Sequence, residues 1–389
     1  MSKHSWIMPN AFLPYGRQTI DEDDIQAVID VLRSDYLTTG PAVERFEAAL
    51  AHATGATHAV AVNSGTSALH AMYFAAGIGP GDEIITSPLT FAATANAALY
   101  LGATVRFVDA EPDTGNIDPD LVEAAITERT KAIVAVDFAG HPADYARLRE
   151  IAERHGLRLL ADAAHSLGAT YDGQPVGALA DATELSFHPV KPITTAEGGA
   201  LVTNYADIAS RAARFRTHGI TKTKDEFDAH DPGSWWYEQH DLGFNYRLTD
   251  VQAALGASQL KKLDKFIIRR RQIAALYDEA LADLDAVERP GRRSNVESGW
   301  HLYVLHTCNP EYRKPLFEHL RSHDIGVQVH YLPVYWHPYY QRLGYERGRC
   351  PQAETYYATS ISLPIHPSMT DYDVFRVVDI VKAWSATPA

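Results

Sequence analysis

The sequence predicts an α/β protein: a large domain on a mainly parallel, helix-covered sheet, then a smaller C-terminal α/β domain. Three observations carry this. Between residues 58 and 161, short apolar runs alternate with stretches of helical periodicity. A long charged helical run over 252–281 then ends that regime. Beyond it, further helical and strand-like runs follow in a region long enough for a second core.

Taken in order, the acidic run Asp21-Glu22-Asp23-Asp24 opens a first helix, because carboxylates suit the positive end of a helix dipole. It ends before Thr38-Thr39-Gly40-Pro41, and a second helix occupies 42–54. Strands are then expected at 58–62, 83–87, 104–108, 132–137 and 158–161, with helices from Thr66, over 91–101, 119–125 and 145–155 between them. Such alternation makes right-handed βαβ units. The division between domains falls inside the long helix, giving a large domain over 1–264 and a small one over 265–389. The small domain has expected helices at 315–323 and 371–384 and strands at 300–306 and 326–330. The polar, aromatic-bearing stretch 221–240 reads as a long loop that meets a ligand or a partner subunit.

Composition narrows the function. With 389 residues, 46% of them hydrophobic, the chain is an ordinary globular protein, and its formal net charge of −14 opposes non-specific nucleic-acid binding. A phosphate-bearing ligand must therefore be held by local groups. Cys308 and Cys350, the only two cysteines, make neither a disulfide framework nor a zinc pattern, and no metal site is expected. They fit a reducing cytoplasm. Neither a leader peptide nor an apolar stretch of ~18 residues is seen, so no membrane association is expected.

Three motifs carry chemistry. Asn63-Ser64-Gly65-Thr66-Ser67 lies between a strand and a helix, where free backbone amides make an anion site, although the same pattern serves as a purely structural cap. Asp162 follows an apolar strand, at the sheet edge where open α/β proteins bind ligands, and it could instead cap the next helix. The run SFHPVKPITTAEGG places Lys191 among small and apolar residues, where desolvation makes an amine nucleophilic. A nicotinamide oxidoreductase would need a glycine-rich turn after its first strand and an acidic residue about 20 positions on, and neither is present.

Those runs, with LTTGP, DAAHSLGA and NYRLTDVQAALGASQLKKLD, resemble the sugar aminotransferases of the DegT/DnrJ/StrS family over nearly the whole chain. The resemblance implies an aspartate-aminotransferase-like fold of pyridoxal phosphate (PLP) type I, with Lys191 as the Schiff-base lysine and Asp162 opposite the pyridinium nitrogen. Ser64, Gly65, Thr66 and Ser186 would hold the cofactor phosphate, Phe91 would stack on the ring and His165 would stand by its phenolic oxygen. Asn245 would reach the phosphate of a neighbouring subunit in a homodimer with shared active sites. Many members have glycine where this chain has Ala196. The KPITTAEGGA run, the Gly115–Pro119 turn and Gln328–Tyr331 resemble the subgroup serving pseudaminic acid biosynthesis. They imply amination of a UDP-linked 4-keto-6-deoxy-N-acetylhexosamine by L-glutamate, with the cofactor passing through pyridoxamine phosphate. The nucleotide sugar would then lie near Tyr15, Asp35, Tyr36, Leu37, Thr38, Gln328, Val329, His330 and Tyr331. Transaminases of 4-keto-arabinose or perosamine type, or a silent regulator of the same fold, are the rivals. A dehydratase branch has histidine at the lysine position, which Lys191 opposes.

Overall fold

A computed structural model describes residues 12–228 and 233–386. Its centre is a seven-stranded sheet of β1 (His58–Val62), β2 (Glu83–Thr86), β3 (Thr104–Phe107), β4 (Thr130–Val136), β5 (Arg158–Asp162), β6 (Ala182–Ser186) and β7 (Gly199–Thr203). The spatial order is β1-β7-β6-β5-β4-β2-β3. β7 runs antiparallel to both neighbours, and every other pairing is parallel.

Alternation along the strands builds three layers. With α1 (Glu22–Leu32) and α2 (Pro41–Thr54) preceding the sheet, Ala132 and Val134 enter one core with Leu160 and Leu201, under α3 (Gly65–Ala75), α4 (Ala93–Tyr100) and the helix Ala206–Phe215. Their neighbours Ile133 and Ala135 face the opposite side, packing on Leu148 and Ile151 of the helix Tyr145–His155. At the other end of that face, Ala200 and Val202 meet Phe46 and Leu50 of the helix Pro41–Thr54. Both faces of the sheet are therefore covered, which is why its strands read as apolar runs.

The expectation of a mainly parallel, helix-covered sheet followed by a second α/β core is met, with local corrections. The run 252–281 is two helices, Asp250–Leu260 and Leu263–Ala280, broken at Lys261 and Lys262. There Gln259 donates to Asp24 (2.6 Å) and to the Thr19 carbonyl (2.9 Å), while Lys262 pairs with Asp21 and Asp24. These ties to the first helix, Glu22–Leu32, hold the chain at the bend. The expected strand at 326–330 reduces to a single bridge between Gln328 and Ser362, because Gly326 donates to the Leu13 carbonyl instead. In the 221–240 loop, residues 229–232 lie outside the described residues; Trp235 and Tyr237 are exposed.

The helix Leu263–Ala280 runs from one core to another. Phe266 and Ile267 pack with the sheet, whereas Ile273, Ala274 and Tyr277 pack with a three-stranded sheet (Val287–Glu288, Tyr303–Thr307, Ser360–Leu363) and the helix Asp371–Ser385. Between them sits Arg270, 1% exposed, whose Nη1 donates to the carbonyls of Trp300 (3.2 Å), His301 (3.3 Å) and Ile365 (2.8 Å). No helix among the described residues is long and apolar enough to cross a membrane.

Candidate active site

A cavity of about 400 Å³ opens at the carboxyl ends of β5 and β6. α3 points its N-terminus at it: the Ser64 side chain accepts from the Ser67 amide (3.1 Å), while the amides of Gly65 and Thr66 belong to the first turn, which has no intrahelical acceptor. Ser186, at the end of β6, faces Gly65 so closely that a Cβ on residue 65 would lie 3.2 Å from its hydroxyl. Together they form a small anion cradle.

Asp162 ends β5 and is 7% exposed. It accepts from the Thr94 hydroxyl (2.5 Å) and the Ala164 amide (3.2 Å), and Thr94 in turn meets Thr90 (2.6 Å). Lys191 sits on the loop after β6, which is folded back by Thr195 N and Thr194 Oγ1 donating to the Phe187 carbonyl. Burial lowers the Lys191 amine to about 8, against the upward pull of Glu184 and Asp162. Ala196, in the same loop, has a φ of 67°, a conformation that glycine adopts without strain. The glycine common at this position therefore has a local physical reason, and its absence here strains only the backbone.

The opposite wall is aromatic. The His165 and His301 rings lie 4.3 Å apart, and the Tyr331 hydroxyl reaches His165 Nε2 at 3.2 Å. His330 bonds Ser362 through Nδ1 (2.7 Å) and lies against Tyr15. Burial holds His165 and His301 well below the usual histidine range and His330 at about 3, with the Lys191 charge acting in the same direction, so this wall is uncharged. Phe91, 63% exposed, stands at the mouth.

Of the residues expected from sequence, Ser64, Gly65, Thr66, Phe91, Asp162, His165, Ser186, Lys191, Tyr15, His330 and Tyr331 line this cavity. Asn245, Asp35, Tyr36, Leu37, Thr38, Gln328 and Val329 do not. Asn245 is exposed, its carbonyl accepting from Asn63 Nδ2 at 3.4 Å; Tyr36 borders a separate hollow with Asp250 and Lys262. Sequence reading missed Glu184, Thr94 and His301. For Glu184 a signal existed: an acidic residue in the apolar strand ATELS, where charge is rarely buried without a purpose.

An amine with lowered basicity, a buried carboxylate and an anion cradle around one cavity suit an aldehyde-bearing, phosphorylated pyridine. The chain belongs to the DegT/DnrJ/EryC1/StrS aminotransferase family, whose model matches residues 18–382. It is a PLP-dependent aminotransferase, and solved neighbours carry the cofactor in both PLP and PMP forms. Among relatives it is similar to the spore coat polysaccharide biosynthesis protein SpsC of Bacillus subtilis, 42% identical over 96% of this chain and 97% of that one. It is also similar to the UDP-4-amino-4,6-dideoxy-N-acetyl-beta-L-altrosamine transaminase of Campylobacter jejuni, 40% identical over 94% of this chain and 96% of the other. A solved structure, the Helicobacter pylori aminotransferase PseC involved in pseudaminic acid biosynthesis, matches with a TM-score of 0.90 and 36% identity over 96% and 99% of the two chains.

Proposed function

We propose that this chain transfers the amino group of L-glutamate to the C4 keto carbon of a UDP-linked 4-keto-6-deoxy-N-acetylhexosamine, leaving 2-oxoglutarate and a 4-amino sugar. The observation that carries the reading is the meeting of Lys191, Asp162 and the α3 N-terminus on one cavity. The names of the C. jejuni and H. pylori relatives support the sugar.

Bound PLP supplies the aldehyde that exchanges amines and a ring that draws off electrons. The protein residues do the rest. Gly65, Thr66, Ser64 and Ser186 would hold the phosphate, and Lys191 would hold the cofactor through its amine. Asp162, fixed by Thr94 and Ala164, would face the ring nitrogen and favour its protonated form by charge pairing. Lys191 would also move the proton at the substrate carbon, a task suited to an amine whose basicity burial lowers. The neutral histidines and Tyr331 form a wall that excludes water without adding charge. The nucleotide would lie outside the cavity, with Tyr15 at its edge and Asp35, Tyr36, Leu37, Thr38, Gln328 and Val329 as its further contacts. Two protomers share each site, Asn245 serving the partner's. The free thiols of Cys308 and Cys350 support a cytoplasmic setting.

The test is a panel of nucleotide keto sugars with L-glutamate as donor. The UDP-N-acetyl-4-keto-6-deoxy compound should give the highest kcat/KM, because that ratio measures transition-state discrimination. A clearly higher value for 4-keto-arabinose, or for a GDP- or dTDP-linked sugar, overturns the substrate reading while leaving the transaminase intact.

A further inference from the structure

Glu184 is a second carboxyl in the site, and the reading above gives it no task. It lies on β6 in direct register with Asp162 on β5, so the two acids are cross-strand neighbours. It is 1% exposed, lines the cavity, and its Oε2 has no hydrogen-bond partner. Its other oxygen fills the space that Gly65 leaves: a Cβ on residue 65 would come within 2.5 Å of Oε1. Two adjacent buried carboxylates repel, and a buried ionised oxygen without a partner is costly to desolvate.

We propose that Glu184 is a positioning residue, a carboxylic acid that keeps its proton and donates a hydrogen bond through it to Asp162 on the neighbouring strand, holding Asp162 as a charged carboxylate aimed at the cofactor ring. A protonated Glu184 removes both difficulties at once. The oxygen without a partner becomes a donor, and its side chain is already within hydrogen-bond reach of Asp162. Asp162 then has three donors around its carboxylate, Thr94, Ala164 and Glu184. The titratable groups facing Glu184 are Asp162 on β5, Lys191 on the following loop and Tyr73 on α3. Burial raises the Glu184 carboxyl well above its ordinary value, the Asp162 carboxyl adds to this, and Lys191 and the Ala164 amide only partly oppose it. In this cavity one acid is kept neutral so that the other can stay charged.

The inference rests on the assignment of Asp162 to the cofactor ring, and its test separates the two. In the holoenzyme near neutral pH, the infrared difference between wild type and Glu184→Gln should show a protonated-carboxyl C=O stretch lost in the variant. Glutamine keeps a donor at this position and leucine does not. Glu184→Leu should therefore lose on the order of tenfold more kcat than Glu184→Gln, with a displaced absorption of the bound cofactor. A carboxylate band in place of the protonated one, or equal losses in the two variants, overturns the proposal; if the leucine variant does not fold, the infrared comparison alone decides. Asp162→Asn completes the set. Cofactor absorption unchanged in Asp162→Asn removes the Asp162 assignment itself, whereas a changed spectrum there with no Glu184 band removes only this inference.

Discussion

At Lys191 two influences oppose each other. Burial favours the neutral amine, and the carboxyls of Glu184 and Asp162 favour the ammonium; the balance leaves it at about 8, below the ordinary lysine value. Only the neutral amine can attack an aldehyde. In protein stripped of cofactor, about a tenth of the Lys191 amines are free at pH 7 and about nine-tenths at pH 9. The rate of cofactor reattachment should thus rise roughly tenfold over that interval and level off above it, as followed by the growth of the lysine-bound cofactor absorption. A rate that is flat with pH would show that Lys191 is not the group being titrated. Lys191→Ala, which should bind the cofactor without any borohydride-fixable link, is the natural control.

Among the elements, α3 and β7 meet backbone to backbone at the cavity. A Cβ on Gly199 would lie 2.6 Å from the Gly65 nitrogen and the Ser64 carbonyl, all backbone atoms with no freedom to rotate aside. Gly199→Ala must therefore push the N-terminus of α3 out of place. Overpacking of this kind costs about 1–3 kcal/mol, so a lower Tm should be accompanied by weaker cofactor binding, measured by fluorescence titration of the apoprotein. A variant that loses Tm but keeps its cofactor affinity would mean that the α3 amides do not hold the phosphate.

The same elements show where sequence reading succeeds and where it stops. β1 was legible residue for residue and β5 to within one, because both belong to a sheet covered on its two faces, whose strands read as apolar runs. β6 and β7 lie outside the strands expected from sequence, and the antiparallel direction of β7 was beyond reach in any case, since an apolar run carries no sign of direction. The break at Lys261 was hidden because Gln259 and Lys262 bend the helix through contacts with residues more than 230 positions away. In the site, Lys191, Asp162 and the Ser64–Thr66 turn stood out because each belongs to a local motif. Thr94 and His301 did not, since their roles arise only when distant strands and loops meet over one cavity.

For the whole molecule, the placement of Asn245 matters most. It is exposed and outside the cavity of its own chain, as a residue offered to a neighbour would be. Mixing Lys191→Ala with Asn245→Ala protomers should then restore roughly a quarter of wild-type activity, because half of the random dimers are mixed and each has one site with both residues intact. Mixed preparations no more active than their parents would remove the shared site.

Arg270 sets a mechanical condition on all of this. Its guanidinium is anchored to carbonyls at residues 300, 301 and 365, and residue 301 also supplies the ring that abuts His165. Any movement that carries residues 300, 301 and 365 away from the helix Leu263–Ala280 would strip a buried cation of three acceptors and pull His301 off the cavity wall in the same stroke. The width of the site on this side is thus tied to one buried guanidinium.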